Sequence, residues 1–386
     1  MFRFILFLMG VIVTSTIHAT TFTLVDPTER VIGYNFVVFS HDEDTLLDIA
    51  RRFDIGYREI VNANPTIDPW LPGANQRVLV PNQFILPDTA QQGIVINLAE
   101  MRLYYYPKPK KGQHQQVITH PIGIGREGWA TPLGKTRIIQ KKKDPTWTPP
   151  ASILAEHLAK GDPLPKVVPA GPDNPLGVYA MRLAMPGYLL HGTNRPFGVG
   201  MRVSHGCIRL FPEDIEHLFG IVAVNTEVEI VYQPYKAAMH QGQLYLEAHE
   251  IQQEQEQAQE NNMAAMISVI TEVQQQSLTD EDWPFIEIMV REQKGNVITL
   301  HQQGDGIIDD VWFVHGGLTQ AAKLELVQAA TTLAINEQFW PLQNGGDGEV
   351  VIGPFDSRQQ AEKIMQNINH IGNMSAWLML LSSDGL

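Results

Sequence analysis

The sequence predicts a multidomain protein. A mainly-β central domain, built as a β-sandwich or barrel, is expected between a small βααβ module and an α/β C-terminal domain. The chain has 386 residues, a length that corresponds to about two to four domains. Between residues 93 and 232, short apolar segments alternate with Pro and Gly turns, as is typical of a sandwich or barrel. Residues 1–233 hold 22 Lys+Arg and 21 Asp+Glu, whereas residues 234–386 hold 6 and 21, so the acidic part is predicted to be a different kind of domain.

Composition excludes several functional classes. The net charge of −14 argues against a general nucleic-acid binder, because such proteins need a basic surface to neutralise phosphates. No apolar run reaches the roughly 18 residues of a membrane-spanning helix, so a polytopic membrane protein is excluded. The single cysteine, Cys207, rules out an intrachain disulfide, a zinc finger and an iron–sulfur cluster.

Residues 1–19 have the pattern of a cleavable signal peptide. Arg3 precedes an apolar stretch from Phe4 to Val13, and a small residue, Ala19, stands at the expected cut. The alternatives are an uncleaved anchor and a buried helix. The mature chain is therefore expected to begin near Thr20, outside the cytoplasm and without a transmembrane span.

Residues 34–81 are predicted to form the compact βααβ module. Its elements are a strand at 34–38, helices at 44–53 and 57–61, and a strand at 78–80. Asp44 or Thr45 can cap the first helix, and Asn62-Ala63-Asn64-Pro65 ends the second. This pattern resembles a LysM module, a family that binds N-acetylglucosamine chains. A small spacer domain without glycan affinity is the alternative, because Ser40-His41-Asp42-Glu43-Asp44 lacks the glycine usual in that family.

The central domain carries the strands that make it mainly β. The predicted strands lie at 94–98, 103–106, 117–119, 136–139, 188–191 and 228–232. One helix is expected after Pro212, whose fixed φ suits a first helical position, and Gly220 ends it.

The segment around the only cysteine carries the chemistry. Cys207 follows His191 by 16 residues and His205 by two, and Gly206 immediately before it allows a sharp turn and a close approach of substrate to the backbone. An unperturbed thiol is only a few per cent thiolate at neutral pH. A neighbouring imidazole raises that fraction by accepting the proton. Alternating hydrophobicity over residues 188–191 places His191 at the end of a strand.

These residues match the L,D-transpeptidase signature, in which a histidine-glycine-threonine (191–193) is followed by serine-histidine-glycine-cysteine (204–207). The similarity extends to residues 131–134, 142–150 and 169–177, which look like the periplasmic members of that family. It covers roughly residues 91–233. The resemblance implies a peptidoglycan enzyme that needs no metal or organic cofactor.

The resemblance also implies roles for individual residues. Cys207 is expected to be the nucleophile and His191 its base, with the Gly192 carbonyl holding the imidazole tautomer. The N–H groups of Gly206 and Cys207 are expected to form the oxyanion hole.

The remaining site candidates lie close to the nucleophile. His205, counted with the catalytic group, and Ser204 are expected to shape the loop. Arg209 is a candidate for binding a substrate carboxylate, and Ser204, Thr193 and Tyr188 are further substrate-binding candidates. A structural ion pair is the alternative for Arg209, and a structural histidine with satisfied hydrogen bonds is the alternative for His205.

Two further segments complete the chain. Residues 237–280 are rich in Gln, Glu and Ala and are predicted to be a helical or flexible linker. Residues 283–386, with a core at 311–386, contain two strand–helix halves and a last strand. Together with Gly353-Pro354-Phe355-Asp356-Ser357-Arg358, they resemble a SPOR domain, a family that binds septal peptidoglycan strands stripped of their peptides.

The resemblances together imply a periplasmic enzyme that acts on stem tetrapeptides and glycan strands. The acyl group would pass to a diaminopimelate amine in a 3–3 cross-link, to the C-terminal lysine of an outer-membrane lipoprotein, or to water. The C-terminal domain favours cross-linking near division sites. A glycan-binding scaffold with an inactive catalytic domain is the alternative from another functional class.

Overall fold

The computed structural model describes residues 21–251, 262–273, 278–280, 282–300, 311–316, 320–333, 339–341, 350–355, 357–372 and 376–381. The predicted signal peptide (1–19) and the Gln/Glu run at 252–260 lie outside these residues. Within these ranges, no helix has the length and hydrophobicity needed to cross a membrane.

The N-terminal module has the predicted βααβ order. Two unpredicted strands precede it, β1 (Thr21–Leu24) and β2 (Val31–Gly33). The module consists of β3 (Phe36–Phe39), α1 (Leu46–Arg52), α2 (Tyr57–Ala63) and β4 (Arg77–Val80). Thr45 is the cap of α1, since its hydroxyl accepts the Asp48 N–H at 3.1 Å and the Asp48 carboxylate accepts the Thr45 N–H at 3.0 Å.

The central domain is mainly β, as predicted. Its elements are β5 (Gln83–Ile85), β6 (Gly93–Asn97), β7 (Arg102–Tyr106), β8 (Gln115–Pro121), β9 (Ile124–Gly125), β10 (Gly134–Lys143), α3 (Ala151–Ala159), β11 (Tyr179–Leu183), β12 (Leu189–His191), β13 (Arg202–Ser204), β14 (Ile208–Arg209), α4 (Pro212–Ile221) and β15 (Glu227–Val231). Nine strands form one sheet in the order β1-β8-β7-β6-β15-β10-β11-β12-β14, with β9 and β13 as a separate pair. Strands from both ends of this series share one core, for example Leu103 of β7 and Leu190 of β12. The mainly-β class is confirmed, and the sandwich or barrel arrangement stays a prediction.

The strands β6 to β8 are buried on both faces. Ile94, Ile96 and Leu103 belong to the core of the central domain. The alternating residues Val95 and Tyr104 belong instead to a core shared with the N-terminal module. The module is therefore packed directly onto the nine-stranded sheet.

The predicted helical linker at 237–280 is partly wrong: its start is a β-hairpin, whereas residues 262–273 are helical as predicted. Its first part is a hairpin of β16 (Tyr235–His240) and β17 (Gln243–Ala248), and its later part is helix α5 (Asn262–Val273). Gln241 and Gly242 form the two-residue turn, both with positive φ (48° and 79°). Met266 and Ile270, four residues apart on one helix face, are buried in a common core with Leu244 and Leu246. These apolar residues are enough to form a small core, although the segment as a whole is polar in composition.

Residues 282–300 belong to the same small unit. Helix α6 (Asp282–Glu292) and β18 (Ile298–Leu300) follow, and β18 pairs with β17. The region therefore precedes the C-terminal domain, although the sequence predicted that the domain starts at 283.

The C-terminal domain has the order β-α-β-β-α-β. Its elements are β19 (Val311–His315), α7 (Gln320–Thr332), β20 (Phe339–Pro341), β21 (Val350–Phe355), α8 (Arg358–Gly372) and β22 (Trp377–Leu381). The two strand–helix halves agree with the sequence prediction, whereas β20 was not predicted. The edge strand β22 pairs with β3, so this sheet continues into the N-terminal module in the order β20-β21-β19-β22-β3-β4.

Candidate active site

The register of two short parallel strands places the predicted nucleophile and base on one face of the sheet. Leu190 of β12 pairs with Ile208 of β14, and His191 pairs with Arg209. Leu190 and Ile208 are both buried in the catalytic core. Because side chains alternate along a strand, His191 and Arg209 lie on the opposite face, and Cys207, one residue before β14, is placed to share it.

His191 is held in a single orientation. Its Nδ1 lies 2.6 Å from the Gly192 carbonyl oxygen, the contact that the resemblance implied. A carbonyl only accepts, so Nδ1 carries the proton and Nε2 is left as the basic nitrogen. Burial lowers the pKa of His191 to about 4, with a further contribution from the positive charge of Arg209. The imidazole is therefore neutral at physiological pH and able to accept a proton.

The Cys207 thiol is partly buried beside the turn between β11 and β12. Burial raises its pKa, while a backbone hydrogen bond from Leu189 and the charge of Arg209 act in the opposite direction. The sulfur lies 3.5 Å from the Gly187 carbonyl oxygen. The resting pair is thus a neutral thiol and a neutral imidazole, whereas the sequence analysis expected the histidine to raise the thiolate fraction.

Ser204 closes the loop that presents the cysteine. Its hydroxyl donates to the Cys207 carbonyl at 2.6 Å and accepts the Gly206 N–H at 3.1 Å. Two expectations change as a result. Ser204 is buried and engaged in the loop rather than facing a substrate, and the Gly206 N–H is already bonded, which leaves the Cys207 N–H as the candidate oxyanion donor.

The turn at Gly206 requires a residue without a side chain. Its φ is +99°, and a Cβ there would lie 2.9 Å from a ring carbon of Tyr188. Tyr188 itself packs against the catalytic core. The structure therefore brings Tyr188 to the nucleophile loop, where its ring covers the turn; the role of Tyr188 in substrate binding stays a prediction.

His205 has polar and aromatic partners that hold its ring in place. Its Nε2 lies 3.0 Å from both the Glu156 carboxylate and the Arg126 guanidinium. Trp129 packs against its ring edge-to-face, with centroids 4.9 Å apart. The contact with Glu156 ties the loop to α3, and the contacts with Arg126 and Trp129 tie it to the segment after β9. These contacts favour the structural alternative for His205, which stays a prediction.

Arg209 and Thr193 have different surroundings. In the part of the chain that the structure describes, no carboxylate pairs with Arg209, so the structural ion pair considered for it is not formed there. Its charge faces the catalytic pair instead. Thr193 is buried and its hydroxyl accepts the Arg195 N–H at 2.8 Å, so this residue fixes a loop.

Sequence reasoning missed the contribution of the β11–β12 turn. The Gly187 carbonyl and the Leu189 N–H both contact the Cys207 sulfur. Pro186-Gly187 is a strong turn signal, so the turn itself was detectable. Its position beside the cysteine was not, because that depends on the pairing of β12 with β14.

A cysteine and a neutral, oriented histidine on one face of a mainly-β domain are typical of an acyl-transferring cysteine enzyme. The family model of the YkuD L,D-transpeptidase catalytic domain matches residues 91–230. The chain is 46% identical over 239 residues to Probable L,D-transpeptidase YbiS of Escherichia coli K12, which covers 61% of this chain and 76% of that protein. It is similar at 44% identity to Probable L,D-transpeptidase YcfS (64% and 78% covered) and at 43% to Probable L,D-transpeptidase ErfK/SrfK (60% and 74%), both from the same strain.

The chain belongs to the L,D-transpeptidase family. The sequence prediction of an enzyme of this type is confirmed.

Proposed function

We propose that this protein is an exported peptidoglycan L,D-transpeptidase that forms 3–3 cross-links, with Cys207 as nucleophile and His191 as general base. The observation that carries the proposal is the hydrogen bond from His191 Nδ1 to the Gly192 carbonyl at 2.6 Å. It leaves Nε2 available on the face that Cys207 shares. Family membership supplies the reaction class.

The first half-reaction forms a thioester. The thiol proton moves to His191 Nε2 as the sulfur attacks the diaminopimelate carbonyl of a tetrapeptide stem. Because burial keeps both groups neutral at rest, proton transfer accompanies the attack. The Cys207 N–H stabilises the oxyanion. The carbon–nitrogen bond to the terminal D-alanine then breaks, and His191 returns the proton to the leaving amine.

The second half-reaction regenerates the enzyme. The side-chain amine of a second diaminopimelate attacks the thioester, His191 takes its proton, and the thiol is re-formed as the amide is released. Two other acceptors use the same steps: the C-terminal lysine of an outer-membrane lipoprotein and water. Arg209, a charge without a carboxylate partner among the described residues, is suited to bind a substrate carboxylate at this site.

The flanking domains would concentrate the enzyme on its substrate. The βααβ order of residues 34–81 supports a LysM-like module, and the β-α-β-β-α-β order of the C-terminal domain supports a SPOR-like one. Binding both glycan and stem peptide would raise the local substrate concentration without new catalytic contacts. Residues 1–19 support export to the periplasm, with peptidoglycan as the partner.

One experiment tests the reaction and its acceptor together. The purified protein is incubated with disaccharide-tetrapeptide and a short peptide ending in lysine, and the products are read by mass spectrometry. We expect a tetra–tri dimer that has lost one D-alanine, and no dimer with the Cys207→Ser variant. A muropeptide–lysine conjugate would assign lipoprotein anchoring instead, and a tripeptide alone would assign hydrolysis. If none of these products forms while the protein still binds glycan, the scaffold alternative replaces the enzyme proposal.

A further inference from the structure

A buried cluster of three side chains lies where the N-terminal module meets the catalytic domain. Asp54 follows α1, His120 lies on β8, and Asp214 lies in the first turn of α4. One ligand atom from each lies within 4.8 Å of the other two. None of the three has a place in the proposed reaction.

The distances within the cluster suit a bound cation. His120 Nδ1 lies 3.2 Å from an oxygen of Asp54 and 3.2 Å from an oxygen of Asp214. Two ligands of a tetrahedral Zn²⁺, each about 2.0–2.2 Å from the metal, are separated by roughly 3.3–3.6 Å. The observed 3.2 Å is close to the lower end of that range, and it is also the distance of a direct imidazolium–carboxylate ion pair.

The hydrogen bonding of the cluster is incomplete. The His120 side chain is fully buried. Its Nδ1 lies at ion-pair distance from both aspartates, and neither ring nitrogen has a hydrogen-bond partner among the other described groups. The same holds for both carboxylate oxygens of Asp54 and for Oδ2 of Asp214. Buried polar atoms are rarely left in this state, and each such case calls for an explanation such as an ion.

The negative charge of the cluster also favours a bound cation. A neutral imidazole with two ionised carboxylates carries −2, which a divalent cation cancels. Two guanidinium groups that interact with residues of the cluster already have their own carboxylates, since Arg102 pairs with Glu59 and Arg51 pairs with Glu213.

We propose that Asp54, His120 and Asp214 form a structural Zn²⁺ site that fastens the N-terminal module to helix α4 of the catalytic domain. One imidazole nitrogen and two carboxylates are ligand types that Zn²⁺ accepts. The second oxygen of either aspartate supplies a fourth ligand. Because α4 follows the strand next to Cys207, the ion stabilises the scaffold behind the active site and takes no part in the chemistry.

The test measures zinc binding directly. The full chain with Cys207→Ser, which removes the thiol as a competing ligand, is stripped with a chelator and titrated with ZnCl₂ alone. We expect one Zn²⁺ per chain and a higher melting temperature with Zn²⁺, because a ligand that binds only the folded state stabilises it. Adding Asp54→Asn, which keeps the shape of the side chain, should weaken binding at least about 100-fold, since even changes outside the ligand set cost 10–100-fold.

Two further variants control the assignment. His249→Gln alters the second buried cluster of this type, Glu100, Glu247 and His249, where the Lys236 ammonium lies 2.6 Å and 3.0 Å from the two carboxylates. It should leave Zn²⁺ binding unchanged. His120→Gln should abolish Zn²⁺ binding. If His120→Gln does not fold, the Zn²⁺ affinity of Asp54→Asn tests the proposal instead. A folded parent that takes up no stoichiometric Zn²⁺, or that binds it equally with Asp54→Asn, would overturn the proposal and leave His120 as a protonated partner of two carboxylates.

Discussion

Arg102 of the catalytic sheet binds Glu59 of the N-terminal module through a fork of two hydrogen bonds, Nε to Oε1 and Nη2 to Oε2, each 2.9 Å long. The Arg102 side chain is 1% exposed and that of Glu59 is 12% exposed. A bidentate, buried pair of this kind fixes orientation as well as distance. The module is therefore fixed to the catalytic domain and does not hang from a linker.

Breaking this fork from one side should destabilise the protein strongly. Arg102→Met leaves the Glu59 carboxylate buried without its cation, a change that typically costs about 3–5 kcal/mol. We expect a clearly lower midpoint of guanidinium unfolding. Glu250→Gln is the matched control, because the Arg58–Glu250 pair is exposed, and exposed pairs contribute about 0–1 kcal/mol. Equal midpoints for the two variants would contradict a docking role for Arg102.

The same interface depends on a glycine. Gly200 has φ +76°, and a Cβ there would lie 2.2 Å from the Tyr57 backbone nitrogen at the start of α2. Gly128 also has φ +76° but has no atom within 4 Å of such a Cβ. Gly128→Ala should therefore cost only the backbone strain, about 1–2 kcal/mol. Gly200→Ala should lower the free energy of unfolding by at least about 2 kcal/mol more than Gly128→Ala, measured by the same guanidinium unfolding. Equal losses in the two variants would mean that the loop containing Gly200 can move away from α2 at little cost.

Local patterns predicted the parts of the fold that depend on neighbouring residues. The strand that ends at His191 and the helix after Pro212 follow from alternation and a fixed φ. The Gly192 contact was inferred through the family motif. The hairpin at 235–248 was not predicted, because the glutamines beside Gly242 made the segment look like a polar linker, although apolar residues alternate on both sides of the turn.

Long-range pairing could not be predicted from the sequence. The pairing of β22 with β3 joins segments more than 300 residues apart, and the cluster of Asp54, His120 and Asp214 draws on three distant segments. Such contacts depend on how complete helices and strands pack against one another, and local hydrophobic periodicity does not predict that packing. The hydrogen bond from the Gly206 N–H to the Ser204 hydroxyl could not be predicted either, because it depends on the conformation of one turn.

Ser204 should act through the position of the nucleophile. Ser204→Ala removes the hydroxyl that bonds both the Gly206 N–H and the Cys207 carbonyl. A misplacement of about 1 Å at a reacting group can cost on the order of 10²-fold, so we expect kcat/KM for dimer formation to fall by about 10- to 100-fold. Alkylation of Cys207 by iodoacetamide needs no oriented oxyanion hole and should change little. A parallel loss of alkylation would show instead that the thiol itself has changed.

Arg209 should set the acid limb of the pH–rate profile. His191 must be neutral to accept the thiol proton, and burial together with the charge of Arg209 lowers its pKa to about 4. Activity should therefore fall as the pH drops through about 4, where the imidazole becomes protonated. Arg209→Met removes one cause of the lowered pKa, so protonation should set in at higher pH and the acid limb should move upward.

The measurement is the pH dependence of kcat/KM, which reports the groups of the free enzyme. Arg209→Lys retains the charge and should keep the acid limb near that of the unmodified protein, even if KM rises through weaker binding of a substrate carboxylate. A change in KM alone, with the acid limb of Arg209→Met unmoved, would restrict Arg209 to substrate binding. An upward shift in Arg209→Met but not in Arg209→Lys would establish that the guanidinium keeps the base neutral.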